Sequence, residues 1–189
     1  MRMKRIMILI VIMISAISLF TYLVVVNSGT EVEEYIPQEE ITDNELRNTI
    51  VTLYFESKES GQIQPEARLV DSKELLNDPY SYLVNLLIEG PKNESLRKVI
   101  PEGVCLKNAT LVGECVTLNF SKEFINNSNG DAFSKSNIIY SIINTVTELK
   151  EVSRVKFLIE DEESDGFSDV GISFKNEFMR TNNFGEIKN

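Results

Sequence analysis

The sequence predicts an α+β domain in which two helices pack on one face of a small mixed sheet. Three observations carry this reading. Tyr80, Leu83, Val84, Leu87 and Ile88 recur at spacings of three and four, as do Ile138, Ile139, Ile142, Ile143, Val146 and Leu149, so each stretch has one apolar helical face. Val51, Leu53 and Phe55, then Val116, Leu118 and Phe120, then Val155, Phe157 and Ile159 keep the two-residue period of strands with one buried face. Turn signals separate these stretches, namely Gly90-Pro91 and the run 126–131, NNSNGD.

Taken in order, the chain begins with a short basic segment, residues 1–5, that contains Arg2, Lys4 and Arg5. Residues 6–26, Ile6 to Val26, carry no charge, and as a helix at about 1.5 Å per residue they would reach about 31 Å, the thickness of a hydrocarbon core. The expected topology is a single-pass transmembrane anchor with the basic flank cytoplasmic and the rest extracytoplasmic. A signal peptide cleaved near Ala16-Ile17-Ser18 is the competing reading, and the continuation of the apolar run to Val26 argues against it. No cysteine lies near this segment, which excludes a lipoprotein anchor. Residues 27–47 hold many acids, Pro37 and little apolar content, so they read as an acidic flexible stalk.

The folded part is expected over residues 48–180. Its first strand is Asn48–Phe55, followed by a polar loop at 57–62 and a short extended piece at Ala67–Val70. The helix at Tyr80–Ile88 has Asp78 as its cap, Pro79 at its first position and Gly90-Pro91 as its stop, with Gly90 in the left-handed conformation. A hairpin turning at Val112-Gly113 would set Cys115 opposite Thr110 and Cys105 opposite Phe120. That offset is roughly 17 Å at about 3.4 Å per residue, beyond disulfide reach, although a different turn position would change the pairing. A second helix is expected at Ser136–Leu149 and a following strand at Val155–Ile159. The acids Asp161, Glu162, Glu163, Asp165 and Asp169 lack the alternation of a calcium loop and read as a solvated loop. Ile172–Arg180 adds a strand or a helical turn, and residues 181–189 read as a frayed tail.

Composition narrows the function. The chain contains no histidine, which removes Ser-His-Asp and Cys-His catalysis and histidine-bearing zinc sites. Two cysteines cannot build a four-thiolate metal site. The formal charge is −10 over the whole chain and −13 beyond residue 26, where Arg2, Lys4 and Arg5 no longer contribute. A polyanion would be repelled, so nucleic acid is not an expected partner and basic proteins are. There is no phosphate-binding glycine loop, and no constraint visible in the sequence sets a carboxylate pair across a cleft. No catalytic, cofactor-binding or metal-ligating residue is assigned, and no cofactor.

The runs LLIEGP, VIPEGV and VTLNFSKEF, followed by the apolar helix and VKFLIE, resemble the GerMN domain of sporulation and spore-germination proteins over roughly Asn48–Arg180. Leu87 and Gly90-Pro91 match the family's Leu-x-x-Gly-Pro helix end, Ile100-Pro101 and Gly103 its Ile-Pro-x-Gly turn, and Leu118–Phe124 its Val-Asp-Leu-Ser-x-x-Phe segment. Two positions depart from the pattern. Asn119 stands where Asp is usual, and Asp161-Glu162-Glu163 replaces the glycine common after the last core strand, both expected in loops or on exposed strand faces. The best-studied relatives carry two such domains in tandem, whereas this chain has length for one.

The resemblance implies a ring-building-motif-like fold and a membrane-anchored, non-enzymatic protein of sporulation or germination. It would act in assembly of an envelope complex through protein-protein contacts with other envelope or sporulation proteins or with itself. A cell-wall or small-ligand binding module is the alternative. Sugar rings stack on exposed aromatics, and Tyr54, alternating to the face opposite Val51, Leu53 and Phe55, is the one candidate residue for it.

Overall fold

The computed structural model describes residues 2–27 and 47–180. The stalk expected at 27–47, apart from its end residues, and the tail at 181–189 lie outside the described residues. The chain divides into two compact units, Met1–Glu40 and Ile41–Asn189, and each is described by itself.

The described part of the first unit is helix α1, Arg2–Asn27. Its side chains from Ile10 to Val26 are exposed. Among the described residues no helix is long and apolar enough to cross a membrane. The anchor expected at residues 6–26 falls in part on side chains, at positions 8 and 9, that lie outside the described residues.

The second unit is an α+β domain with the element order β1 (Asn48–Ser57), β2 (Ile63–Asp71), α2 (Ser72–Asn77), α3 (Pro79–Glu89), β3 (Leu96–Arg97), β4 (Leu106–Val112), β5 (Cys115–Phe120), α4 (Glu123–Asn126), α5 (Ala132–Val146), β6 (Arg154–Ile159) and β7 (Phe178–Met179). Its strands divide between two sheets. One is mixed and four-stranded in the order β4-β5-β6-β7, with β5 and β6 parallel and the outer pairs antiparallel. The other is antiparallel and three-stranded in the order β2-β1-β3.

Local chemistry explains the elements. The Asp78 carboxylate accepts from the Ser81 N–H, Pro79 opens α3, and Leu83, Val84, Leu86 and Leu87 are buried. Gly90 ends the helix at φ 104 and ψ 176, a positive φ with extended ψ in place of the left-handed conformation expected, and this region of the map is open essentially to glycine alone. Helix α5 starts four residues earlier than the apolar stripe indicates, because Asp131 caps it by accepting from the Ser134 N–H at 2.9 Å. The hairpin turns at Gly113-Glu114, one residue later than expected, and pairs Val112 with Cys115 and Leu106 with Phe120. Gly113 has φ 61, and a positive φ at the first central position matches the twist of the flanking strands.

Phenylalanines from the middle and the C-terminal end of the domain meet in the core. Phe120 and Phe124 stack at 4.3 Å between ring centroids, so the four-residue spacing in the FSKEF run serves this contact. Phe157 packs on Phe120 and Phe124, and Phe167, Phe174 and Phe178 from the C-terminal segment close around Phe124 and Phe157. Burying such rings contributes about 2–3 kcal/mol each, which makes the irregular segment after β6 part of the core.

Candidate functional site

Among the described residues, four constellations of polar side chains are candidates for a site. The first lies over the Gly90-Pro91 helix stop. Glu66 and Arg68 sit two apart on β2 and therefore on one face, and that face is the inner one, leaving them 8% and 3% exposed. They form an ion pair. Arg68 also donates to the Gly90 carbonyl at 2.9 Å and lies over the Phe55 ring. The other Glu66 oxygen accepts from the N–H groups of Lys92 and Asn93, both at 2.9 Å. Burial raises the Glu66 carboxyl pKa, but the Asn93 and Lys92 amides and the Arg68 charge outweigh it and hold the group below its ordinary range. A cleft of about 550 Å³, lined in part by Pro65, Ala67 and Asn93, opens above the pair. Its floor is saturated by these internal bonds, so the pair acts as a clamp on the turn.

The second centres on Tyr54. Its hydroxyl donates to Glu148 at 2.7 Å and accepts from Arg180 at 2.6 Å. Arg180 and Glu148 form an ion pair at 2.7 Å, and the Arg180 guanidinium lies 5.4 Å over the Tyr54 ring. The ring therefore carries a cation on one face, and its function is to fasten the C-terminal end of the domain to β1 and α5. The guanidinium leaves the opposite face of the Tyr54 ring as the one a carbohydrate would have to stack on.

The third joins the two positions that depart from the GerMN pattern. Asn119 Nδ2 donates to the Asp161 carboxylate at 2.6 Å, and the Asp161 N–H donates to Asn119 Oδ1 at 3.0 Å. Asp161 has φ 71, the conformation that favours glycine. Asn119 is only 1% exposed, contrary to the exposed strand face expected for it, because the loop after β6 folds back over β5. The fourth is the acidic loop. Glu160 pairs with Lys107, Glu163 with Lys156, Asp165 with Lys175 and Asp169 with Lys135. Among the described residues no group of three or more His, Cys, Asp or Glu side chains could hold a metal ion.

The two thiols are free, Cys105 exposed and Cys115 buried. Burial pushes the Cys115 thiol pKa up, and the neighbouring Glu177 adds to it. Cys105 is therefore expected to react with a thiol reagent in the folded protein while Cys115 reacts only on unfolding. Mass mapping of the labelled sites checks this, and equal labelling of both would contradict the burial.

The fold defines an α+β domain in which these clustered polar groups are engaged in holding turns and termini. A family described as Germane, sporulation and spore germination, matches residues 52–165. The chain belongs to this family. Its fold is shared with the tandem GerMN domains of the sporulation protein GerM from Bacillus subtilis, at a TM-score of 0.56 and 22% identity over 80% of this chain and 51% of that one. The first GerMN domain of the same protein superposes at a TM-score of 0.53 and 20% identity, over 68% of this chain and 99% of that one. The chain thus spans about half the length of the tandem structure. Comparison with curated proteins finds no match.

Proposed function

We propose that this protein is a non-enzymatic, extracytoplasmic component of sporulation or spore germination that acts through protein-protein contacts in an envelope complex. The single observation that carries the reading is the family match over residues 52–165, supported by the fold shared with a sporulation protein's domains. The N-terminal helix is assigned as the membrane anchor. Its support is the sequence: Ile6–Val26 is uncharged throughout and follows Arg2, Lys4 and Arg5, the arrangement that retains a basic flank in the cytoplasm. The partners are other envelope proteins, with self-association included, and the net charge of −13 beyond residue 26 favours basic surfaces among them.

Deletion of the gene in the source bacterium is expected to lower the yield of heat-resistant spores or their germination, with the protein recovered in the membrane fraction of sporulating cells. Normal spore yield and germination after deletion would sink the reading. Recovery of the full-length protein in the soluble cytoplasmic fraction would remove the anchor.

A further inference from the structure

We propose that the open edge of β1 at Ile50–Thr52 is a strand-addition site for an extended, basic peptide segment of another protein, with an aliphatic side chain entering the groove beside it. The proposal rests on the reading of this domain as a protein-contact module and adds where the contact is made and with what chemistry.

Strand β1 lies at the centre of its sheet, and β2 pairs with it along one side from Asn48 to Glu56. The other side is filled differently along its length. Lys58 donates its N–H to the Ser95 carbonyl at 2.9 Å, and Glu56 pairs with Arg97 of β3. At Tyr54 helix α5 takes over: the Tyr54 N–H donates to the Thr145 hydroxyl at 3.1 Å, and the Tyr54 carbonyl accepts from the Ser141 hydroxyl at 2.5 Å. Even-numbered residues of β1 therefore direct their main chain away from β2. The register agrees, since Tyr54 stands opposite Pro65, which has no N–H to offer. By the same period Thr52 and Ile50 point their N–H and C=O groups to this side. Among the described residues no hydrogen bond reaches them there.

Beside this edge runs a groove of about 190 Å³ lined by Leu75, Leu83, Leu149, Thr145 and Glu148. Ile50 is 69% exposed, and its partner on β2, Leu69, is 62% exposed. Alternating free donors and acceptors on an extended strand are complemented by another extended main chain, while the adjoining apolar groove receives every second side chain of it. A glycan or a lipid chain does not offer that repeat. Glu148 is the charged residue of the lining, and it already holds the Arg180 guanidinium at 2.7 Å. That carboxylate is thereby engaged, so the preference for a basic partner rests on the acidic charge of the chain, −13 beyond residue 26. Ser141 and Thr145 close the edge beyond Thr52, so the added strand is short and the contact weak and reversible.

The test uses the full chain in a non-ionic detergent and a fluorescein-labelled Lys-Val-Lys-Val-Lys-Val peptide, read by fluorescence anisotropy. Saturable binding is expected. It should weaken by roughly tenfold when alternate peptide nitrogens are methylated, because the Ile50 and Thr52 carbonyls then lose their donors. Thr52→Pro removes the outward N–H without touching the β2 ladder and should weaken binding similarly, with its melting curve checking the fold. A Glu-Val-Glu-Val-Glu-Val peptide should bind less than the lysine peptide. Absence of saturable binding, or equal binding of the methylated peptide, overturns the proposal. So does a fall in sedimentation mass on Thr52→Pro, which would show that a second copy occupies the edge. Peptide binding is read on purified protein and spore formation on the deletion strain, so the two readings fail separately.

Discussion

Arg68→Met is expected to destabilise the domain by about 3–5 kcal/mol, the range for removing one partner of a buried ion pair. The lost guanidinium strands the Glu66 carboxylate beneath the surface and leaves the Gly90 carbonyl without its donor. For a domain of this size the melting temperature should fall by roughly 10 °C or more. Replacing both partners with apolar residues, which often relieves a buried pair elsewhere, is not expected to restore stability here. Glu66 also accepts from the Lys92 and Asn93 amides, and two unsatisfied N–H groups would cost about 1–3 kcal/mol each. Thermal melts of the two single variants and the double variant check this, and a double variant as stable as the parent would remove the clamp.

The same clamp has a pH signature. The folded Glu66 carboxyl titrates below its ordinary value of 4.5, so at acid pH the unfolded chain binds the proton first. The contribution of Glu66 is therefore complete above that ordinary value and is lost as pH falls through the folded value. In Glu66→Gln this part of the acid-dependent loss should be absent, and denaturant titrations across the acid range measure it.

Asn119→Asp is the second change with a large expected effect. It restores the residue usual in the GerMN pattern yet should destabilise this protein by about 2–4 kcal/mol at neutral pH. The Nδ2 donor to Asp161 disappears, and a buried carboxylate at 119 then faces the exposed carboxylate of Asp161. Proton sharing would relieve the repulsion, so the variant should lose less stability in mild acid than at neutral pH. Adding Asp161→Gly should recover most of the loss. Glycine removes the second carboxylate, still offers its N–H to residue 119, and adopts the φ of 71 without strain. A double variant no more stable than Asn119→Asp alone would show that the two positions are not coupled.

These residues also mark where sequence reading reaches and where it stops. Leu53 and Phe55, Val116 to Phe120, and the isoleucines of α5 announced themselves by period because their inner faces are apolar. Strand β2 runs from Ile63 to Asp71, yet only Ala67–Val70 is legible as extended. Its pattern is inverted: Glu66 and Arg68 point inward, while Leu69 points out. Helix α5 shows the same limit, since Ser141 and Thr145, polar by type, are fully buried against the edge of β1. Phe167, Phe174 and Phe178 lie in a segment with no period, and nothing local states that they meet Phe124 and Phe157.

The sequence alone determined the α+β class, the caps and stops of α3, and the family pattern, because those depend on local propensity and on the period of apolar residues. Tertiary structure decided the division into two sheets, the clamp on Gly90, the Asn119–Asp161 pair, the occupation of Tyr54 by Arg180 and the edge of β1 left open. Each of these is a pairing between residues far apart in the chain. A polar side chain carries no mark in sequence of the partner that will satisfy it.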